Sequence, residues 1–185
     1  METDFGCLRD VADHEIELMR SWRNLPAVRR NMYNQHEISA SEHQKWWVSI
    51  RESNVNRYFM YEYRGEPSGV IAFTNIDRIS SNSTWAFYAA GDAPKGTGSR
   101  MEFLALDFAF QSLKLQKLSC EVLAYNSPVI KLHQKFGFQV EGIFRKQYLL
   151  DDDYVDVYRL GILAPEWIKI RGDMKHKLML LNKSV

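Results

Sequence analysis

Little in this sequence ties it to the cell exterior, to a metal or to nucleic acid. Two cysteines, Cys7 and Cys120, in a chain of 185 residues cannot build the disulfide framework of a small secreted domain. Both fall in stretches that read as strands, which predicts a reduced, buried pair. Neither C-x-x-C nor H-x-x-x-H spacing occurs, so the pattern of a zinc site is missing. Neither sign of charge is in excess. Lys and Arg number 24 against 23 Asp and Glu, a net +1, which argues against nucleic-acid and membrane-surface partners. No apolar run approaches the ~20 residues of a membrane span. Residues 1–11 carry acids and no long apolar run, so they are not expected to be a signal peptide. Repeats, low-complexity tracts and linkers are also absent. The expectation is a cytoplasmic protein with one domain over residues 1–185.

Two nucleotide-loop motifs are absent as well. There is no G-x-x-x-x-G-K-[ST], and G-x-G-x-x-G fails because Met101 stands where the third glycine would be. What is present is a glycine loop between an aromatic strand and an apolar helix. Gly96 and Gly98 flank Thr97, with Lys95 before them and Ser99 and Arg100 after. The first N–H groups of a helix have no intrahelical partner and lie at the positive end of its dipole, which suits a pyrophosphate. Glycine lets the phosphate approach the backbone. By itself the pattern equally fits an ordinary strand-to-helix loop, with Arg100 a solvated charge.

Hydrophobic residues make up 45% of the chain, enough for a sizeable core. Periodicity predicts a strand over residues 5–11 and a helix capped by Asp13 and broken by Pro26. A second helix follows, with a capping box from Ser39 to Glu42. Three strands come next, over 57–63, 68–77 and 84–90, and then the loop and its helix. A strand over 117–124 leads to a helix that opens at Asn126-Ser127-Pro128 and ends at Gly137. Two strands over 138–149 and 154–163 surround an acidic turn, and Pro165 opens a basic last helix, whose charges over 169–183 read as a solvated face. This order predicts a mixed sheet with helices on its faces.

Two stretches carry a resemblance. Residues 93–98 stand in the register Gln/Arg-x-x-Gly-x-Gly/Ala, with Ala93 departing at the first position. Residues 126–138 follow Asn-x-x-Ala/Ser-x-x-Leu-Tyr-x-Lys-x-Gly-Phe, with Val129 and His133 as the departures. The chain therefore resembles the GNAT N-acetyltransferase superfamily. The resemblance implies its α/β (α+β) fold, a central, mostly antiparallel sheet of about seven strands flanked by helices. It also implies acetyl-CoA as co-substrate, no metal, and transfer by direct attack of an amine. In the first half, Trp22-Arg23-Asn24, residues 28–33, His36 to Ser39 and Phe73 to Ile76 are similar to the sugar-nucleotide acetyltransferases of pseudaminic acid biosynthesis. That similarity implies the substrate UDP-4-amino-4,6-dideoxy-N-acetyl-β-L-altrosamine, acetylated at its 4-amino group on the route to flagellin glycosylation. It also implies a homodimer. A Trp-Arg-Asn opening is shared with acetyltransferases of ribosomal-protein N-termini. Two alternatives therefore stay open: a protein N-terminal acetyltransferase, and a non-catalytic module that binds acetyl-CoA.

The chemistry needs a neutral amine, a polarised thioester carbonyl and a proton for the departing thiolate. The resemblance places the general base at Glu121, on the opposite face of its strand from Cys120 and Val122. A carboxylate there could instead order the sheet or bind the amine. It places the general acid at His133, where relatives carry tyrosine, with Tyr125 or a water as the other source of the proton. Histidine can also protonate a thiolate. A backbone N–H near Tyr88 or Ala89 is expected at the acetyl oxygen, Lys95 to Arg100 at the pyrophosphate and Asn126 at the pantetheine arm. Arg23, His43 and Thr74 are the candidates for the nucleotide. Met32, Tyr33, Trp46 and Trp85 are candidates for an apolar wall against the deoxysugar methyl, though periodicity also allows Met32 and Trp46 as plain core.

Overall fold

The structure, a computed structural model, describes residues 4–183. Its strands are β1 (Cys7–Asp10), β2 (Arg57–Tyr63), β3 (Glu66–Asp77), β4 (Asn82–Ala89), β5 (Lys117–Leu123), β6 (Gln139–Leu150) and β7 (Asp153–Leu163). They form one seven-stranded sheet in the order β1-β2-β3-β4-β5-β7-β6. Every neighbouring pair is antiparallel except β4 and β5. Tight turns join β2 to β3, β3 to β4 and β6 to β7. Between β2 and β3, Arg64 and Gly65 both take positive φ, as the right-handed twist of a short hairpin requires. The parallel pair needs a long crossover, which is α4 (Thr97–Asp107) continued by a π-helical turn, Phe108–Ser112.

Side-chain alternation divides the sheet between two cores. Phe59 and Tyr61 of β2 and Ile71 and Phe73 of β3 point to a large cluster under α4, α5 (Ser127–Lys135) and α6 (Ala164–Lys183). Met60 of β2 and Val70 of β3 point the other way. There they meet Ile16, Met19 and Trp22 of α1 (Ile16–Arg23) and Trp47 of α3 (Ala40–Ile50). Each such side chain contributes roughly 1.5–3 kcal/mol on full burial.

Several local expectations need correction. Asp13 does not cap α1. It starts a 3-10 turn and accepts a hydrogen bond from Trp47 Nε1, while Glu15 takes the Ala12 N–H. Pro26 opens a short helix, α2 (Pro26–Arg29), because its fixed φ and missing N–H suit a first helical position. Ser39 caps α3 by accepting the Glu42 N–H, but the Glu42 carboxylate turns to His36 and so does not complete the box. Neither Cys7 nor Cys120 is in a disulfide, yet they are not a buried pair. Cys120 is buried in β5 while Cys7 is half-buried in β1, an edge strand, with β2, β3 and β4 between them. Among the described residues no helix is long and apolar enough to cross a membrane.

Candidate active site

β4 and β5 pair only over their first residues, from Asn82↔Lys117 to Thr84↔Ser119. Beyond Thr84 the two strands splay, and the unpaired edge of β4 borders a gap. Ala90 donates its N–H to Ser68 on the β3 side. Alternate N–H groups of a strand point the same way, so Tyr88 and Ala86 also face β3 while Ala89 and Phe87 face the gap. The donor expected near Tyr88 or Ala89 is therefore narrowed. The Tyr88 amide points away from the gap, because its parity is that of Ala90.

Two cavities meet at this gap. The first, about 330 Å³, is bordered by Arg23, Met32, His43, Trp46, Tyr58, Thr74 and Tyr88. The second, about 280 Å³, is bordered by Met32, Trp85 to Ala89, Cys120, Glu121, Asn126, Val129 and His133. Met32, Ala86 and Tyr88 border both, so the cavities adjoin across β4. The irregular segment after α2 supplies Met32 to this junction.

At the head of α4, Gly96 takes the left-handed conformation at φ 88° and serves as N-cap. The Thr97 N–H and hydroxyl both donate to the Pro94 carbonyl. Arg100 N–H donates to Gly96 O, which leaves the Gly98 and Ser99 amides without a backbone acceptor among the described residues. Lys95 is exposed beside them. Arg100 departs from expectation: its side chain is neither solvated nor turned toward a phosphate. It is 4% exposed, donates to Tyr61 Oη, Pro94 O and Thr97 Oγ1, and stacks on the Tyr63 ring at 4.1 Å. It supports the loop from beneath, because the first turn of α4 directs position 100 into the core.

Glu121 borders the second cavity with both oxygens engaged. Tyr33 Oη donates to Oε2 at 2.7 Å, and Arg159 Nη1 donates to Oε1 at 3.2 Å. Burial, followed by the Glu121 carboxylate, pushes the Tyr33 phenol up. Tyr33 borders neither cavity. Its ring lies against Tyr148 and is half exposed, so it departs from its expected place on an apolar wall. Tyr125 Oη donates to Arg30 O and, like Tyr33, fastens the segment after α2 to the far side of the gap. Asn126 borders the second cavity, and its backbone carbonyl accepts from the Val129 and Ile130 N–H groups at the start of α5.

His133 is 3% exposed, and its Nδ1 lies 2.8 Å from Oε1 of Glu102, which is fully enclosed. Burial opposes charge on the imidazole, but the Glu102 carboxylate and the Cys120 thiol outweigh it and push His133 up to about 10. Trp85 and Phe138 enclose the ring at 5.4 and 5.2 Å between centroids. Trp85 is thereby corrected: it borders the cavity of His133 and Cys120, not the one expected to hold a sugar. Odd and even residues of β4 face opposite sides of the sheet.

The first cavity has a different character. Arg23 donates through Nη2 to Asn34 O, while Nη1 is buried without a partner. His43 is buried, stacks on Trp46 at 4.8 Å, and has no partner at Nδ1. Burial, then Arg20, pulls the His43 imidazole down and keeps it neutral. Thr74 Oγ1 meets Thr84 Oγ1 at 2.8 Å. Trp46 packs edge-on against Tyr58 at 4.9 Å. Sequence reasoning missed Tyr58, Arg159 and Glu102. Only Glu102 left a signal, as the carboxylate inside the apolar run over 101–106.

Residues 8–158 match the acetyltransferase (GNAT) domain family. The chain is 31% identical over 164 residues to the SPbeta prophage-derived uncharacterized N-acetyltransferase YokL of Bacillus subtilis, covering 86% of this chain and 90% of that one. It is 28% identical over 131 residues to acetyltransferase PseH of Campylobacter jejuni, covering 71% and 81% respectively. In fold it is similar to the spermidine N-acetyltransferase of Vibrio cholerae solved with CoA and spermine. That likeness has a TM-score of 0.83 at 21% identity, over 90% of this chain and 99% of that one.

Proposed function

The chain belongs to the acetyltransferase (GNAT) domain family and is an acetyl-CoA-dependent N-acetyltransferase, and from that premise we propose that its acceptor is the 4-amino group of a UDP-linked 4-amino-4,6-dideoxy sugar. The sugar of this reading is UDP-4-amino-4,6-dideoxy-N-acetyl-β-L-altrosamine, acetylated in pseudaminic acid biosynthesis for flagellin glycosylation. The observation that carries the reading is the charge of the first cavity. Arg23 offers it an unpaired Nη1, and the acid on its wall, Glu42, is already paired with His36. A polyamine needs free carboxylates, whereas an anionic nucleotide needs a buried cation. Trp46, Tyr58 and Met32 give the same cavity an apolar wall suited to a deoxysugar methyl.

Acetyl-CoA enters from the other side. Its pyrophosphate meets the free amides of Gly98 and Ser99 with Lys95 nearby. Its pantetheine passes Asn126, and its thioester lies in the gap between β4 and β5. The Ala89 N–H stabilises negative charge on the acetyl oxygen. The sugar amine reaches the carbonyl at the junction of the cavities. Glu121 takes its surplus proton, exchanging Tyr33 for the amine or a bridging water. The carbonyl collapses with loss of the thiolate, and His133 protonates the sulfur. The reading includes a homodimer: β6 ends the sheet with Ile143, Phe144 and Leu149 exposed, and sedimentation of the purified chain checks it.

A thiol-release assay tests the acceptor. The panel holds the UDP-4-amino sugar, its dTDP-linked counterpart, spermidine and a peptide starting with alanine. Turnover on the UDP-sugar is expected. Turnover confined to spermidine or to the peptide would refute the sugar reading.

A further inference from the structure

Glu102 has no structural reason to be a carboxylate. It projects from α4 between Met101 and Phe103, both buried, and its side chain is 0% exposed. A single ion at such a depth is strongly unfavourable without a compensating partner. Its partner is His133 on α5, with Nδ1 at 2.8 Å from Oε1. Oε2 is buried with no partner. Trp85, Phe87 and Phe138 surround the imidazole, with centroids at 5.4, 6.1 and 5.2 Å. Those rings fix its plane, so the two nitrogens cannot exchange places. Nδ1 is committed to Glu102, and Nε2 is the nitrogen left to the cavity that His133 borders together with Cys120.

We infer that Glu102 is a positioning residue for acetyl transfer: it shares one proton with His133 and thereby keeps a hydrogen on Nε2, facing the gap where the thioester reacts. The inference rests on the acetyltransferase reading and holds for any amine acceptor. It follows from proton bookkeeping. A pair that holds one proton is either carboxylate with imidazolium or carboxylic acid with neutral imidazole. In the first state both ring nitrogens carry hydrogen. In the second the acid donates to Nδ1, so the ring hydrogen sits on Nε2. Both states present an Nε2 donor. Only loss of the shared proton, with Nδ1–H turned to the carboxylate, makes Nε2 a bare acceptor. The titratable neighbours of the ring agree with this. Burial raises the Glu102 carboxyl, and Glu102 and Cys120 outweigh burial to raise His133, so both members keep the proton beyond their ordinary ranges. The pair titrates as a unit.

The step balances. The acceptor nitrogen forms a bond to the acetyl carbon, the C–S bond breaks, and its electron pair leaves on sulfur. The sulfur takes the Nε2 hydrogen, whose bonding pair becomes the ring lone pair. The remaining proton settles on Nδ1 against the Glu102 carboxylate. The surplus proton of the amine leaves through Glu121 or water, and one proton from solvent restores the pair.

The test uses the full chain with acetyl-CoA bound. Nitrogen-15 shifts of the His133 ring, assigned through His133→Gln, are followed from pH 6 to 10. In the wild type Nε2 should remain an N–H to about pH 9, and in Glu102→Gln the midpoint should fall by roughly 2–3 units. The alkaline limb of kcat should move with it, using whichever amine of the panel turns over. The KM for acetyl-CoA should stay within about twofold, because Glu102 does not touch the cofactor path. Glu102→Asp should retain most of both, and it serves as the test if the Gln variant does not fold. A bare Nε2 in the wild type at pH 7.5, or an unmoved alkaline limb in a folded Glu102→Gln, overturns the inference. So does an acetyl group found covalently on Cys120, with activity lost in Cys120→Ala. The ring shifts are read without any acceptor, so failure of the sugar reading leaves this result standing.

Discussion

Replacing Gly96 with alanine probes the cofactor loop where the backbone itself is specialised. Gly96 sits at φ 88° and ψ −3° at the head of α4. An L-residue in this left-handed region costs about 1–2 kcal/mol. The added Cβ would also lie 3.1 Å from Arg100 Nη1, a tight contact with a side chain pinned by Tyr61, Thr97 and the Tyr63 ring. Together these give about 2 kcal/mol. That energy must appear in one of two places. If the loop keeps its shape, the whole chain loses it, and Tm falls by about 4–8 °C for a protein of this size. If the loop relaxes to negative φ, the amides of Gly98 and Ser99 turn away and acetyl-CoA affinity falls by up to about 30-fold. Differential scanning fluorimetry and titration calorimetry measure the two losses. Gly98→Ala is the control, since its φ is not positive and its Cβ would meet Leu132 at 3.4 Å and Phe87 at 3.7 Å, ordinary contacts. Its Tm should match or slightly exceed the wild type. Wild-type behaviour of Gly96→Ala in both assays, or a larger Tm loss in Gly98→Ala, would refute the reasoning.

Arg23→Ala should raise the KM for the UDP-sugar at least ~10-fold through loss of a charge-assisted contact, with the KM for acetyl-CoA unchanged. An unaltered acceptor KM would remove Arg23 from the nucleotide site. Glu121→Gln should lower kcat by about 10²–10⁴ if it is the general base, while circular dichroism stays native. A variant within about threefold of wild type would assign the carboxylate to ordering Arg159 and Tyr33 instead. The Glu102–His133 pair also predicts how stability varies with pH. His133 is raised from 6.5 to about 10, so its contribution is fully present below the unfolded value of 6.5 and is lost as pH climbs toward 10. Glu102, also raised, acts in the same direction. Urea midpoints should decline from pH 7 to 9.5 in the wild type and flatten in His133→Gln; a rise over that interval contradicts the pairing.

The hairpins and helices of the second half were legible because their signals are local. Asn126-Ser127-Pro128 opens α5 and Gly137 closes it at φ 93°, each specified by its own backbone chemistry. Among the central strands, β3 read as an apolar run because different partners bury its two faces. The errors fall where local signals compete. Pro26 ends one helix and equally begins another. Glu42 completes a capping box only if no better partner is near, and His36 is at 2.8 Å. Arg100 reads as a solvated charge from its neighbours in sequence, yet its partners Tyr61 and Tyr63 lie on β2, about forty positions earlier.

The sequence alone determined the family, the order of the elements and the place of the cofactor loop, since these rest on spacing within short stretches. Tertiary structure alone decided which amides of β4 face the gap, that Trp85 and Tyr33 stand away from the first cavity, and that His133 is held by Glu102. The physical reason is parity and distance. Side chains and amides of a strand alternate in direction, so the function of a position depends on register with a neighbouring strand. A pair 31 residues apart meets only when two helices pack on the same face of a sheet.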